Sequence, residues 1–594
     1  MFFPTSGIGA GVLLGLLGSV SRCVVAQTGT CSPLVIDDWT SQSRLTFLFY
    51  NSLLQPTSDD GTMTSMIVNP DTNRVAITPK TGGDSYFFSN LGCLSANNRW
   101  GGISLRIKAA AGTTFTVQLQ SSTSCDTGNF QAHDRTSTQL GWTFDGTEKL
   151  YDIPLSAFAN LDKDHILSIM FYSVSGPVTF GPMAFYCGTT VSEYVPSPRT
   201  IDDDPTATVP ITSAEPSSFT IDSFAQSDAN DLGFWHGGDD GLSLTYSGGK
   251  LTIVTTNTDL SWYTQLSGTC RDLRTYENGY LHIQYSGSSK FTIALQQHNS
   301  ACNTDIAPYP ETWDVVDASR YAISETDIYV PLAHFIINKQ RVVGVAFKAF
   351  LTDTPTVFSK VEILNTIDPA HSGAKIPAKL PTAPLYFACT RENSFAFAID
   401  DGVPELAQEV MSIVRSEGIK VTFFTVGAPL LDPGTNLSSV YKEMHSQGHQ
   451  IALHSFTHPN LESLSTLADI DWEFQQDIDA VKQTLGISSK YFRPPFGSEG
   501  ARSRQRLAHE IPGAKMINWS VDVQDWIWAM SDTPEKQLEA FKSDLAKGGN
   551  LVVMHYLYPS TVGYLREFIR LAKASGKQLM RVDQCLEDPE APPL

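Results

Sequence analysis

The segment Phe395-Ala-Phe-Ala-Ile-Asp400-Asp401-Gly402 decides how the chain is read. An apolar run with alternating aromatics ends in two adjacent carboxylates and a glycine. The run predicts a buried strand, and the glycine predicts a sharp turn after it. Both carboxylates would then sit at the carboxyl end of a core strand, where open and barrel-like α/β folds place their ligands. Adjacent like charges repel, so a metal or another cation is the usual reason to hold them together. Asp-Asp-Gly is also ordinary turn chemistry, and the segment alone does not choose between the two.

The sequence after this segment alternates strand and helix. Pro404 opens a helix with Leu406, Val410, Ile413 and Val414 on one face, and Gly418 fits its C-terminal turn. Strands are expected at 421–426, 450–453, 490–492, 516–521, 551–554 and 579–582, with helices between them. Repeated βα units imply a mainly parallel sheet or barrel. Polar residues follow the strands in order: His454-Ser-Phe-Thr-His458, Arg493-Pro-Pro-Phe496, Asp522-Val-Gln-Asp525-Trp526 and His555. A lone histidine is usually structural, and a lone aspartate at a strand end is often a helix cap. Five such sites on successive parallel strands converge on one face instead. Two histidines four apart with a nearby carboxylate give the donor set of a catalytic zinc site with one position left open.

On these motifs the stretch from about 385 to 585 resembles the polysaccharide deacetylase family, also called NodB-homology or carbohydrate esterase family 4. All five of its motifs stand in order. The resemblance implies a distorted (β/α) barrel and a divalent metal, Zn²⁺ foremost, held by Asp401, His454 and His458. It casts Asp400 as the base that deprotonates the attacking water, Arg493 as its partner, and His555 as the acid oriented by Asp525. The Phe496 N–H would help hold the oxyanion, and Trp526 and Val553 would line the acyl pocket. Chemistry requires each part: an amide carbonyl is a poor electrophile, and an amine leaving group needs a proton. Several positions depart from the family pattern. Ala398-Ile399 stands for Thr-Phe, Val553 for Leu, Phe496 for a frequent Tyr, and Tyr556 where Asp is common. None removes a charged group, so acyl and polymer preference are affected more than activity. Cys389 and Cys585 flank this domain, and a disulfide between them would clamp its first and last strands.

The part before it repeats itself. The spacing of Cys93 and Cys125 recurs in Cys270 and Cys302, and the same offset carries Tyr86 to Tyr263 and Pro154 to Pro331. Phe115-Thr-Val-Gln-Leu-Gln120 resembles Phe291-Thr-Ile-Ala-Leu-Gln296. Residues 27–190 and 216–366 are therefore two copies of one module. Short alternating segments broken by Gly, Ser, Asn and Asp make each an all-β sandwich or jelly roll. The repeat pairs Cys93 with Cys125 and Cys270 with Cys302, and Cys31–Cys187 would tie the ends of the first copy. A Pro/Thr/Ser/Asp-rich linker spans 191–215, a second join spans 367–384, and 385–594 forms the last domain. Such sandwiches resemble carbohydrate-binding modules in architecture alone. Trp100, Trp142, Trp235, Trp262 and Trp313 are either core residues or sugar platforms.

Residues 1–26 hold an apolar stretch and then small residues, the pattern of a secretory signal peptide, with a short signal-anchor as the alternative. Eight cysteines remain after it, an even number suited to disulfides in a secreted chain. The length of 594 residues suggests about three or four domains. A formal charge of -21 without a basic cluster argues against nucleic acid or an anionic membrane as partner, and no transmembrane segment is expected in the mature chain. Asn436-Leu-Ser438 is a candidate glycosylation sequon in a polar loop, whereas Asn518-Trp-Ser520 lies in an expected buried strand. The expected activity is secreted, metal-dependent N-deacetylation of N-acetylglucosamine units in chitin or its oligomers, the β modules being candidates for binding glycan. The alternatives are O-deacetylation of acetylated xylan and a non-catalytic wall-binding protein.

Overall fold

The structure, a computed structural model, describes residues 31, 33–39, 63–69, 72–80, 85–97, 99–125, 129–195, 218–371, 373–432 and 435–594. The expected signal peptide and most of the 191–215 linker lie outside these residues.

Two antiparallel sheets enclose the core of the first β region. One carries strands Met63–Asn69, Arg74–Pro79, Val178–Cys187, Trp100–Ala109 and Lys149–Pro154 in that order; the other runs Tyr86–Leu94, Ile166–Tyr172, Thr116–Ser121, Gln131–Thr136. Their inward residues, among them Val75, Leu105, Phe87, Leu119 and Phe171, bury one apolar cluster. The second β region repeats this strand order, with one more described edge strand, His236–Gly238, in its second sheet. Its sheets run Ser243–Tyr246, Leu251–Val254, Thr356–Leu364, Tyr280–Gly287, Asp327–Pro331 and His236–Gly238, Trp262–Gln265, Val342–Lys348, Thr292–Gln297, Thr312–Asp317. Disulfides join Cys31 to Cys187, Cys93 to Cys125, Cys270 to Cys302 and Cys389 to Cys585. Trp142 and Trp262 belong to the two cores, Trp100 packs against the first and Trp313 against the last domain's core, and Trp235 alone of the five is exposed.

The last region is a parallel sheet ordered Leu385–Tyr386, Lys515–Ile517, Tyr491–Phe492, Gln450–Leu453, Thr422–Thr425, Ser394–Gly402, Leu551–Tyr556, Val521–Asp522, with Gln578–Met580 also on Ser394–Gly402. One expected strand is corrected here. The run 516–521 divides into Lys515–Ile517 near one edge of the sheet and Val521–Asp522 at the other. Residues 518–520 join them, and Ile517 and Val521 cannot be more than about 14 Å apart. The sheet must therefore curl until its edges nearly meet, although no hydrogen-bonded ladder crosses the seam. Helices Pro404–Ser416, Leu437–Ser446, Leu467–Leu485 and Pro559–Ala574 turn buried apolar faces toward the sheet.

The join at 367–384 is packed as well. Ile376 completes the second module's core and Ala383 the last domain's. Lys379 and Thr382 bind Asp314 of strand Thr312–Asp317 at 2.9 and 2.8 Å. Arg504, on helix Ala501–Glu510, donates to the Trp313 carbonyl at 2.9 Å and lies 3.5 Å from Asp314. The second module and the last domain thus share buried ion pairs.

Candidate metal centre and active site

Strand Ser394–Gly402 ends where the apolar run ends, and its last residues leave ideal strand geometry. Successive strand residues face opposite ways, so Asp400 and Asp401 should diverge. A register shift between Asp400 and Gly402 against His555 and Tyr556 breaks that alternation, and Asp401 takes a φ of 43°. The two carboxylates can then serve one site. Gly402 corrects a second expectation. It is not the left-handed residue; a Cβ there would lie 1.8 Å from the Tyr556 ring, so the glycine makes room for that ring. His458 and Phe496 also hold positive φ, at 58° and 60°. Non-glycine residues held in this region cost energy and cluster where geometry is functional.

Three ligand-bearing side chains converge. His454 Nε2 lies 3.8 Å from Asp401 Oδ1, and His458 Nε2 lies 3.6 Å from Asp401 Oδ2. One donor atom from each residue fits within 4.8 Å of the others, and all three are buried. His454 Nδ1 donates to the Arg493 carbonyl at 2.7 Å, which leaves Nε2 as the lone-pair atom facing Asp401. Burial holds His454 neutral, its pKa pushed down to about 3, and also lowers His458 well below the ordinary imidazole range. Burial pushes Asp401 up to about 7, with His555 opposing and Asp400 and Asp525 adding like charge. Asp401 Oδ1 and His458 Nδ1 are buried without a hydrogen-bond partner. A carboxylate with an orphaned oxygen between two neutral imidazoles is a donor set that fits a divalent cation.

Asp400 faces Arg493, Oδ1 to Nη1 at 2.7 Å, with both side chains sealed from solvent. The guanidinium also donates to the carbonyls of Ala398, Ile517, Asn518 and Val552 at 3.1–3.3 Å. Burial raises the Asp400 carboxyl, and Arg493 opposes it most strongly. Asp525, at the start of the short helix Asp525–Trp528, grips His555 of the neighbouring strand twice, accepting from Nδ1 at 2.9 Å and from the main-chain N–H at 2.7 Å. Burial disfavours the imidazolium, but Asp525, Asp400 and Asp401 together overcome it and raise His555 to about 10.

The aromatic rim is open. Phe496 is 43% exposed with its ring 4.9 Å from that of His458, and Trp526 is 65% exposed. Val553 is buried two residues before His555, on the same face of the strand. Two further carboxylates escaped the sequence reading. Asp477 accepts the His454 N–H at 3.0 Å, and Glu473 accepts those of Phe456 and Thr457 at 3.0 and 2.7 Å. They pin the histidine loop from helix Leu467–Leu485. Their signal lay in position, since Asp477 falls in the apolar stripe of Ile470, Phe474 and Val481 and Glu473 adjoins it.

The Polysaccharide deacetylase family model matches residues 388–510. A chitin deacetylase from Pestalotiopsis sp. is 32% identical over 218 residues, which is 36% of this chain and 70% of that protein. The chain belongs to the polysaccharide deacetylase family. The peptidoglycan-N-acetylglucosamine deacetylase PgdA of Listeria monocytogenes is 27% identical over 207 residues, 35% of this chain and 41% of PgdA. Among solved structures, the chitin deacetylase of Colletotrichum lindemuthianum aligns with a TM-score of 0.33 and 23% identity, covering 35% of this chain and 94% of that one. These matches concern the deacetylase domain and leave the two β modules to be argued from their own residues.

Proposed function

We propose that the protein is a secreted, metal-dependent N-deacetylase acting on N-acetylglucosamine units of chitin or its oligomers. Family membership makes the domain a hydrolase of carbon–nitrogen bonds. The observation that carries the finer reading is the buried, cation-deficient Asp401 between neutral His454 and His458, one residue from an aspartate already paired with Arg493.

A divalent cation held by Asp401, His454 and His458, Zn²⁺ being the choice the donor set favours, would supply Lewis acidity to the amide carbonyl and the attacking water. Asp400 takes the proton of that water, and Arg493 keeps it ionised to do so. The Phe496 N–H points a fixed dipole at the developing oxyanion. His555, protonated at neutral pH through Asp525, gives its proton to the departing amine. Acetate and the free amino sugar are the products. Trp526 and Val553 bound the space for the acetyl group. No helix among the described residues is long and apolar enough to cross a membrane. Asn436 is exposed at the start of helix Leu437–Ser446, which suits it to carry a glycan.

The test is acetate release from N-acetylglucosamine oligomers and from acetylated xylan, with and without chelator. Release from the oligomers that stops with chelator and returns with Zn²⁺ supports the reading. Release from xylan alone makes the enzyme an O-deacetylase, and release from neither with metal restored refutes both. Asp400→Asn should abolish turnover while metal content is kept.

A further inference from the structure

The second β module presents a built cavity whose floor lies on the outward face of one sheet. Strand registers align Gln265, Gly344, Gln296 and Trp313 in a single row across four strands. The next row, Tyr263, Ala346, Ala294 and Val315, is covered by Ala501 of the deacetylase domain. The small residues of that row let the helix sit flat, and the glutamine row is left open beside it. A cavity of about 300 Å³ stands over the open row, walled by Trp235, Tyr263, Tyr309 and Lys348.

The floor depends on Gly344. A Cβ there would lie 2.8 Å from the Thr264 carbonyl and 3.0 Å from Gln296 Oε1, so only glycine lets the two amides flank an open centre. Trp235 is 49% exposed, lies within stacking range of Tyr263 at 6.4 Å and 27°, and rests on Gly237, where a Cβ would meet its ring at 2.7 Å. The charge of Lys348 is already taken by buried Glu499, leaving amides, a phenol and flat apolar rings as the exposed chemistry. That set matches an uncharged pyranose, whose C–H face is apolar and whose rim is hydroxyl and amide.

The first module supplies a control within the same chain. Its equivalent row is Asn90, Ser168, Gln120 and Ala132. Alanine replaces the tryptophan, and Ser168 fills the glycine position and donates to Gln120 at 2.9 Å. Among the described residues, the glycine-centred row ending in tryptophan therefore belongs to the second copy.

The cavity is also tied to the segments that carry the catalytic site. Trp313 donates to Glu499 at 2.8 Å, and Glu499 follows Phe496, whose ring meets His458, by three residues. Asp259 of the same module accepts from Asn460, two residues after His458, and Ser498 donates to Asn460 at 3.2 Å. The segment that shapes the acyl rim is the segment on which the cavity is mounted.

We propose that this cavity is a secondary glycan subsite, holding a further sugar unit of the polymer whose acetylated unit occupies the metal centre. The proposal rests on the glycan-deacetylase reading for the identity of its ligand. Its test is titration calorimetry of the full chain carrying Asp400→Asn, with the N-acetylglucosamine hexamer and dimer as probes. Adding Trp235→Ala should weaken hexamer binding about tenfold, the scale of one lost aromatic contact, and change dimer binding less than twofold. Trp235→Phe should recover most of the loss, and Gln265→Ala should reproduce part of it. Equal hexamer affinity for Trp235→Ala and its parent overturns the subsite, as does an equal loss for hexamer and dimer. Acetate release is read separately. Loss of hexamer binding in a protein that releases no acetate would leave the subsite standing and remove the proposed reaction.

Discussion

Arg493 reaches Asp400 from beneath, Nη1 to Oδ1 at 2.7 Å, while its remaining donors go to four main-chain carbonyls of surrounding strands and the seam. One guanidinium thus holds the sheet ends together and sets the charge of the proposed base. Arg493→Met would leave Asp400 buried without its cation, and burial would then protonate it. Unfolding stability should fall by about 3–5 kcal/mol and turnover by at least about a hundredfold. Urea titration and acetate release read the two effects, and retained turnover would contradict the pairing.

Metal affinity should follow the protonation of Asp401. Its carboxyl is pushed up to about 7, whereas His454 and His458 are already neutral well below that. One proton must leave before the cation binds, so affinity of the metal-free protein rises about tenfold per pH unit from 5 toward 7 and then levels. Competition titrations with a zinc chelator measure the slope. A slope of two protons, or none, contradicts the assignment.

The acid should fail only in strong alkali. With His555 raised to about 10, turnover stays flat through neutral pH and declines as pH climbs through that value. Asp525→Asn removes the largest support for the charged imidazole, so the alkaline limb should move down by about two units. The pH profile of kcat separates this from simple loss of fold, which would lower the whole curve without moving the limb.

The contact between module and deacetylase domain should carry stability. Asp314 accepts from Lys379, Thr382 and the Ile336 N–H and lies beside Arg504. Burial would raise its carboxyl, but Lys379 and Arg504 outweigh that and hold it below the ordinary range. Its contribution is therefore intact above pH about 4 and is lost as pH falls through the lowered value. Asp314→Ala strands the buried Lys379 cation, leaves Arg504 only Glu499 as a carboxylate partner, and should cost about 3–5 kcal/mol, measured by urea unfolding at pH 7. A loss under 1 kcal/mol would count against a shared core.

The convergence of the candidate site was legible because a parallel sheet gathers the residues at its strand ends on one face. Each apolar run stops at a polar residue, and the stops line up in space. Asp400, His454, Arg493 and His555 could all be read in this way. The backbone at Asp401 could not, since a left-handed φ leaves no mark on an aspartate that a turn would not leave. Gly402 was assigned to a turn because the ring it accommodates, Tyr556, lies far along the chain. The run 516–521 looked like one strand because apolar periodicity reports burial and not which edge of a sheet buries it. The outward row of Tyr263, Ala346, Ala294 and Val315 reads as ordinary strand composition until the covering helix is known. The sequence around Trp313 and Trp235 likewise does not distinguish core from platform.

The seam at 518–520 gives the second sequon a meaning of its own. The Asn518 side chain donates to the Gly497 carbonyl at 3.0 Å, its N–H goes to Tyr386, and its carbonyl accepts from Arg493. A glycan on that buried nitrogen would crowd the bond to Gly497 and wedge open the closure of the sheet. Glycosylation of Asn518 and closure of the sheet would therefore compete for one side-chain amide.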